Sequence, residues 1–154
     1  MTESNVKAPE GMHTITPHIV VSDAAAAADW YKQALGADER SRIEVPGGKL
    51  MQVELWFGDS ALMLADEFPE LGVLSPLSVG GTATVLHLYT NDVDAIWNCA
   101  VDAGAEVRQP LQDTFWGERY GQITDPFGHR WGLAQHLRDV PPQKIAEAAA
   151  AMFG

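Results

Sequence analysis

Gln52 and Glu54 alternate along the segment LMQVELWF, with Trp56 beyond them. Alternate residues of a strand share one face, so the three side chains would look into the same space. A carboxylate placed there could take a proton next to a carbonyl, which makes Glu54 the candidate general base. His18 and His87 stand in two other short apolar segments. His87, together with Arg119, could hold the oxyanion that such a proton transfer creates. A second cluster is the run Trp116-Gly117-Glu118-Arg119-Tyr120. An aromatic beside an arginine and an acid can stack a planar ligand and fork a carboxylate or phosphonate. The glycine lets the chain approach a ligand closely. The candidate site is therefore Glu54 and His87 as catalytic residues, with His18, Gln52, Trp116, Arg119 and Tyr120 binding the ligand. The same residues also have a plainer use. Arg119 could pair with Glu118 or Asp125 to brace a strand edge, Trp116 could plug the core, and the two histidines could be hydrogen-bonded core or pocket residues.

Other conspicuous residues read as structure. Asp125-Pro126-Phe127-Gly128 fits a type I turn, with Asp first, Pro second and Gly fourth. His129 and Arg130 follow it, and strand alternation sends one to each face. Trp131 reads as core, and Trp30, Tyr31 and Trp97 as helix residues packed under a sheet. Cys99 reads as a buried, inert thiol in mid-helix. The sequence shows no Ser-His-Asp arrangement, phosphate loop or dinucleotide fingerprint.

The elements that must position these residues occur twice. Thr16–Val21 (TPHIVV) is a strand, Ser22 and Asp23 are caps, Ala24–Leu35 is rich in helix formers, and Gly36 stops the helix. Thr84–Thr90 (TVLHLYT), Asn91-Asp92, Val93–Ala103 and Gly104 repeat that order. In the second helix Val93, Ile96, Trp97, Ala100 and Val101 form one apolar face. Three strands follow each glycine: about 39–45, 50–57 and 61–65 in the first half, and 106–111, 119–124 and 129–135 in the second. Each half is thus β-α-β-β-β. Because one helix covers only one face of a twisted sheet, two such halves predict a concave small-molecule site lined at period two.

Composition narrows the function. The chain has 154 residues, with 21 acidic and 10 basic side chains, and a formal net charge of −11. General nucleic-acid binding and docking on anionic lipid both need a basic footprint that this chain lacks. A single local arginine can still serve an anionic ligand. One cysteine builds neither an internal disulfide nor a thiolate zinc site. No stretch approaches the roughly 20 apolar residues of a membrane span, and no signal peptide is visible, so a cytoplasmic location is expected.

Paired βαβββ modules resemble the vicinal oxygen chelate superfamily, which includes glyoxalase I, extradiol dioxygenases, fosfomycin-resistance enzymes and bleomycin-binding proteins. Within it, TPHIVVSDAAAAADWYKQALGA, LADEFPE near Leu64 and FWGERYGQITDPFGHRWGLAQ resemble the PhnB-like branch, over about residues 16–136. The resemblance implies an α+β fold of curved mixed sheets around a cleft, and a homodimer. The expected organisation is one domain over 1–154: a tail at 1–15, a module at 16–66, a linker at 67–82, a module at 83–137 and a terminal helix or tail at 138–154. Metal enzymes of the superfamily place one ligand on the first and one on the fourth strand of each half. Counted from the helix-stop glycines, those positions fall near Thr16, near Thr84 or Val85, near Met63 or Leu64, and near Gly132. None is a ligand type, so no metal is assigned. The resulting expectation is a protein that binds, and could transform, a small polar molecule without the usual metal. Two alternatives stand beside it. One is a metal-free drug-sequestering protein. The other is a divalent-metal lyase or isomerase with ligands shifted to His18, His87 and Glu54, types that zinc, nickel or manganese accept.

Overall fold

The structure is a computed structural model and describes residues 7–154. The first six residues of the expected tail lie outside the described residues. By its contacts the chain divides into two compact units, Met1–Gly81 and Thr82–Gly154.

In the first unit, β1 (His18–Val21) leads into α1 (Ala24–Leu35). The strand begins two residues later than expected because Pro17 has no N–H to give a ladder. Its carbonyl still accepts from Met63 N at 2.9 Å. Asp23 caps α1 by accepting from Ala26 N at 3.1 Å, and Gly36 ends it in the left-handed conformation. β2 (Asp38–Glu44), β3 (Leu50–Phe57) and β4 (Ser60–Asp66) complete a sheet in the order β1-β4-β3-β2. Only β1 and β4 are parallel. Ile19, Val21, Val53, Leu55, Leu62 and Leu64 are buried on the face that meets α1. Alternation then puts His18, Gln52, Glu54 and Met63 on the far face.

The expected linker is ordered. It holds a 3-10 turn at Pro69–Leu71 and the short α2 (Pro76–Val79). Each starts on a proline, whose fixed φ suits the first helical position. Glu67 Oε1 accepts from Ser75 N at 2.7 Å and ties the segment down.

The second unit repeats the plan. β5 (Val85–Tyr89), α3 (Val93–Asp102), β6 (Glu106–Asp113), β7 (Glu118–Thr124) and β8 (Arg130–His136) form a sheet ordered β5-β8-β7-β6. β6 runs past Pro110 because it is an edge strand with a register shift between Gln109 and Gln112, where a missing N–H is tolerated. α4 (Pro142–Phe153) closes the chain and buries none of its residues. The expected α+β architecture of two βαβββ modules with mixed sheets is the observed one.

Two local expectations change. Cys99 is exposed, not buried: it lies off the stripe of α3 that packs, whose buried members are Val93 and Ala100. Asp125 does more than turn the chain. It is buried, and its carboxylate accepts from Phe127 N, His129 N and Trp131 Nε1 at 2.9, 3.0 and 2.9 Å. Trp131 is buried, as its reading as core requires.

Candidate functional site

The parallel pairing of first and last strand sets the geometry of both far faces. In the first unit His18 lies beside Met63, and Met63 beside Glu54. In the second, His87 lies beside Gly132, and Gly132 beside Gln122. These two rows occupy equivalent places in the repeat. His18 thus matches His87, and Glu54 matches Gln122.

The first far face is built around Glu54. Trp56 Nε1 donates to its Oε2 at 2.7 Å, and the Arg40 guanidinium lies 4.0 Å from the centre of the Trp56 ring. The indole is therefore held on both its edge and its face. Gln52 and His18 share this side of the sheet.

The second far face is aromatic. His87 and Tyr120 stack with their ring centres 5.4 Å apart and planes at 16°. The stack needs Gly132. A Cβ there would come within 2.9 Å of Tyr120 Cε2 and 3.0 Å of His87 Nδ1. Gln122 Nε2 donates to the Tyr120 hydroxyl at 2.6 Å. Trp116 meets Tyr120 edge-on at 5.9 Å, and Tyr89 meets His87 edge-on at 4.8 Å. Toward the strand ends lies a depression of about 340 Å³ lined by Tyr89, Thr90, Asn91, Gln135 and His136. His136 Nδ1 lies 2.7 Å from Glu118 Oε2, and its Nε2 lies 2.7 Å from Asp139 Oδ1. Only an imidazolium donates from both nitrogens, so Asp139 first and Glu118 second hold the His136 pKa above its usual value.

Of the residues expected to form the site, His87, Trp116 and Tyr120 come together. His18, Gln52 and Glu54 share the far face of the first unit, so the catalytic pair Glu54 and His87 is divided one to each unit. Arg119, contrary to expectation, joins neither group. It neighbours Tyr120 on β7, so alternation turns it to the helix side of the sheet. There its guanidinium binds Asp94 Oδ1 of α3 and Asp113 Oδ1, each at 3.0 Å. It does brace the strand edge, but with partners other than Glu118 or Asp125. Sequence reasoning missed Tyr89, Gln122 and His136. Period-two counting from His87 and Tyr120 along their own strands would have found the first two.

The metal-ligand count also needs revision. Directly opposed residues on adjacent strands bring two ligands of one ion closest together, and the register pairs Met63 with His18 and Gly132 with His87. The first-strand positions are thus two or three residues beyond those counted. Both hold histidine, but the fourth-strand positions offer only a thioether and a hydrogen atom. Among the described residues no group of three or more His, Cys, Asp or Glu is placed to hold a metal ion. The donor set does not fit the superfamily's metal centre.

Comparison with known proteins agrees with this architecture. The family model described as Glyoxalase/Bleomycin resistance protein/Dioxygenase superfamily matches residues 11–133. An uncharacterised protein of Mycobacterium bovis is 42% identical over 137 residues, covering 87% of this chain and 90% of its own length. A crystal structure from Pseudomonas aeruginosa shares the fold with a TM-score of 0.68 at 23% identity, covering 82% of this chain and 99% of that one. A PhnB protein from Bacillus cereus, described as a putative 3-demethylubiquinone-9 3-methyltransferase, shares it with a TM-score of 0.62 at 15% identity, over 80% and 99%. No helix among the described residues is long and apolar enough to cross a membrane.

Proposed function

The chain belongs to the glyoxalase/bleomycin resistance/dioxygenase superfamily, and from that premise we propose that it is a small-molecule-binding protein of the PhnB-like branch. Its ligand is a planar aromatic compound, held on the far face of the second unit without the usual metal. The observation that carries this reading is the near-parallel His87–Tyr120 stack over Gly132, with the Trp116 and Tyr89 edges around it. Aromatic pairs contribute about 1 kcal/mol each beyond the area they bury, and a third ring extends such a stack at little ordering cost. The Tyr120 hydroxyl and the Gln122 amide add polar direction. Homodimer formation and a cytoplasmic location belong to the same proposal, and light scattering tests the first.

The test is a titration with quinoline-2-carboxamide, a neutral planar probe, followed by amide NMR shifts. Shifts should cluster at residues 87–89, 116–122 and 132. Tyr120→Ala and His87→Ala should each weaken binding about tenfold, the order expected for loss of a stacking partner. Shifts elsewhere, or wild-type affinity in Tyr120→Ala, would overturn the reading.

A second reading is favoured by Glu54. Trp56 Nε1 holds its Oε2, and Oε1 has no partner among the described residues, as a general base requires. Turnover of a thiol hemithioacetal that vanishes in Glu54→Gln supports this reading. Turnover that survives in Glu54→Gln removes it.

A further inference from the structure

The basic residue that faces the aromatic stack is Arg130. The register places it between Val85 and Thr124, in the row next to His87, Gly132 and Gln122 and on the same face. Two residues along a strand span roughly 7 Å, about the length of one bicyclic aromatic ring system. Arg130 is half-buried.

Its lack of a partner sets it apart from the other strand arginines. Arg42 meets Glu39 at 2.8 Å, Arg108 meets Glu106 at 3.7 Å, Arg119 meets Asp94 at 3.0 Å and Arg40 meets Asp38 at 4.0 Å. Arg130 has no ion pair or hydrogen-bonded side-chain partner among the described residues. In a chain with 21 acids and 10 bases, an arginine can find an acid by chance alone. A partly desolvated guanidinium left unmatched costs stability, and an external anion would remove that cost. A second guanidinium reaches the same end of the face, since Arg108 Nε donates to Thr124 Oγ1 at 2.8 Å and Thr124 is the cross-strand neighbour of Arg130.

We infer that Arg130 is the anion anchor of the aromatic site, and that the ligand class is a planar aromatic acid bearing a carboxylate or phosphonate. This rests on the binding reading above and specifies it. The ring lies against His87 and Tyr120, and the acid reaches the Arg130 fork, which binds two oxygens at once. Arg130 thereby fills the role that residue types alone gave to Arg119.

The test compares quinoline-2-carboxylate with quinoline-2-carboxamide, which share a ring and differ in charge. The wild-type protein should bind the carboxylate about tenfold more tightly, a preference that shrinks as salt is raised. Arg130→Gln should bring the two probes within about twofold of each other by removing the charge-assisted bonds. Arg130→Lys, which keeps the charge and loses the fork, should retain part of the preference, and it guards against a folding defect in the first variant. Arg119→Gln should leave the preference intact. If the carboxamide binds but the carboxylate gains nothing, or if Arg130→Gln keeps the full preference, the anchor is wrong and the aromatic site stands. If neither probe shifts the residues around Tyr120, the aromatic site falls, and the anchor with it.

Discussion

α1 buries Ala24, Ala27, Ala28, Tyr31, Ala34 and Leu35, whereas α3 buries only Val93 and Ala100. The two helices occupy the same place in the same module, yet one is sunk into its sheet and the other rides above it. The side chains explain this. Four alanines let α1 sit close, and Tyr31 fills the remaining gap. In α3 the large Trp97 lies over β7, and Gly121 must be bare to admit it, because a Cβ there would come within 2.6 Å of the indole. The far faces differ in a parallel way. The first holds one carboxylate fastened to one indole, and the second holds stacked rings over a bare backbone. Duplication kept the scaffold and let each surface diverge, which is how one architecture can support different chemistry.

The same contrast orders the experiments. The largest effect should come from the β7–β8 turn. Asp125→Ala strands three donors, two backbone and one indole, and should cost about 3 kcal/mol in chemical denaturation. In the β3–β4 turn the Asp59 carboxylate accepts only from the exposed Ser60 hydroxyl among the described residues, so Asp59→Ala should stay within about 0.5 kcal/mol. Equal costs would show that the two turns are not the unequal anchors described. Next comes Gly132→Ala, which drives a methyl into the His87–Tyr120 stack. It should cost about 2 kcal/mol by overpacking and abolish the carboxamide titration. Met63→Ala, the matching site in the first unit, should leave that titration unchanged.

The third effect is pH-dependent and confined to the second unit. The His136 pKa is raised above its ordinary 6.5, by Asp139 first and Glu118 second. Its stabilising contribution is therefore complete below that ordinary value and fades as pH rises through the higher folded value. The melting-temperature gap between the wild-type protein and His136→Gln should be widest at mildly acidic pH and close on the alkaline side. NMR titration of the imidazole should show a midpoint above 6.5. The smallest effect concerns α3 itself. Cys99 should react with a thiol reagent in the folded protein, Cys99→Ser should change stability by no more than about 0.5 kcal/mol, and α3 amides should exchange faster than those of α1.

These differences also show which signals the sequence carried. Local chemistry wrote itself plainly: α1 spans Ala24–Leu35 and β3 spans Leu50–Phe57, as capping, propensity and the stop glycine require. Register did not, because the pairing of His18 with Met63 depends on where the last strand docks, and no spacing from Gly36 reveals it. The face of Arg119 could have been read. It adjoins Tyr120, and neighbours on a strand cannot share a side. The same parity puts Arg130 on the side of Tyr120 and Gly132. Cys99 was hidden similarly, since mid-helix position says less about burial than angular position around the axis.

The pairing of the first strand with the last in each unit bears on how the protein is made. β1 finds its place only when β4 is available, so the N-terminal sheet can close once Asp66 has cleared the ribosome, while the second half is still being translated. Until then β1 has no strand to pair with, although α1 already has β3 to pack on. Slow codons or a chaperone acting at that point of synthesis would therefore influence yield more than the same intervention a few residues later.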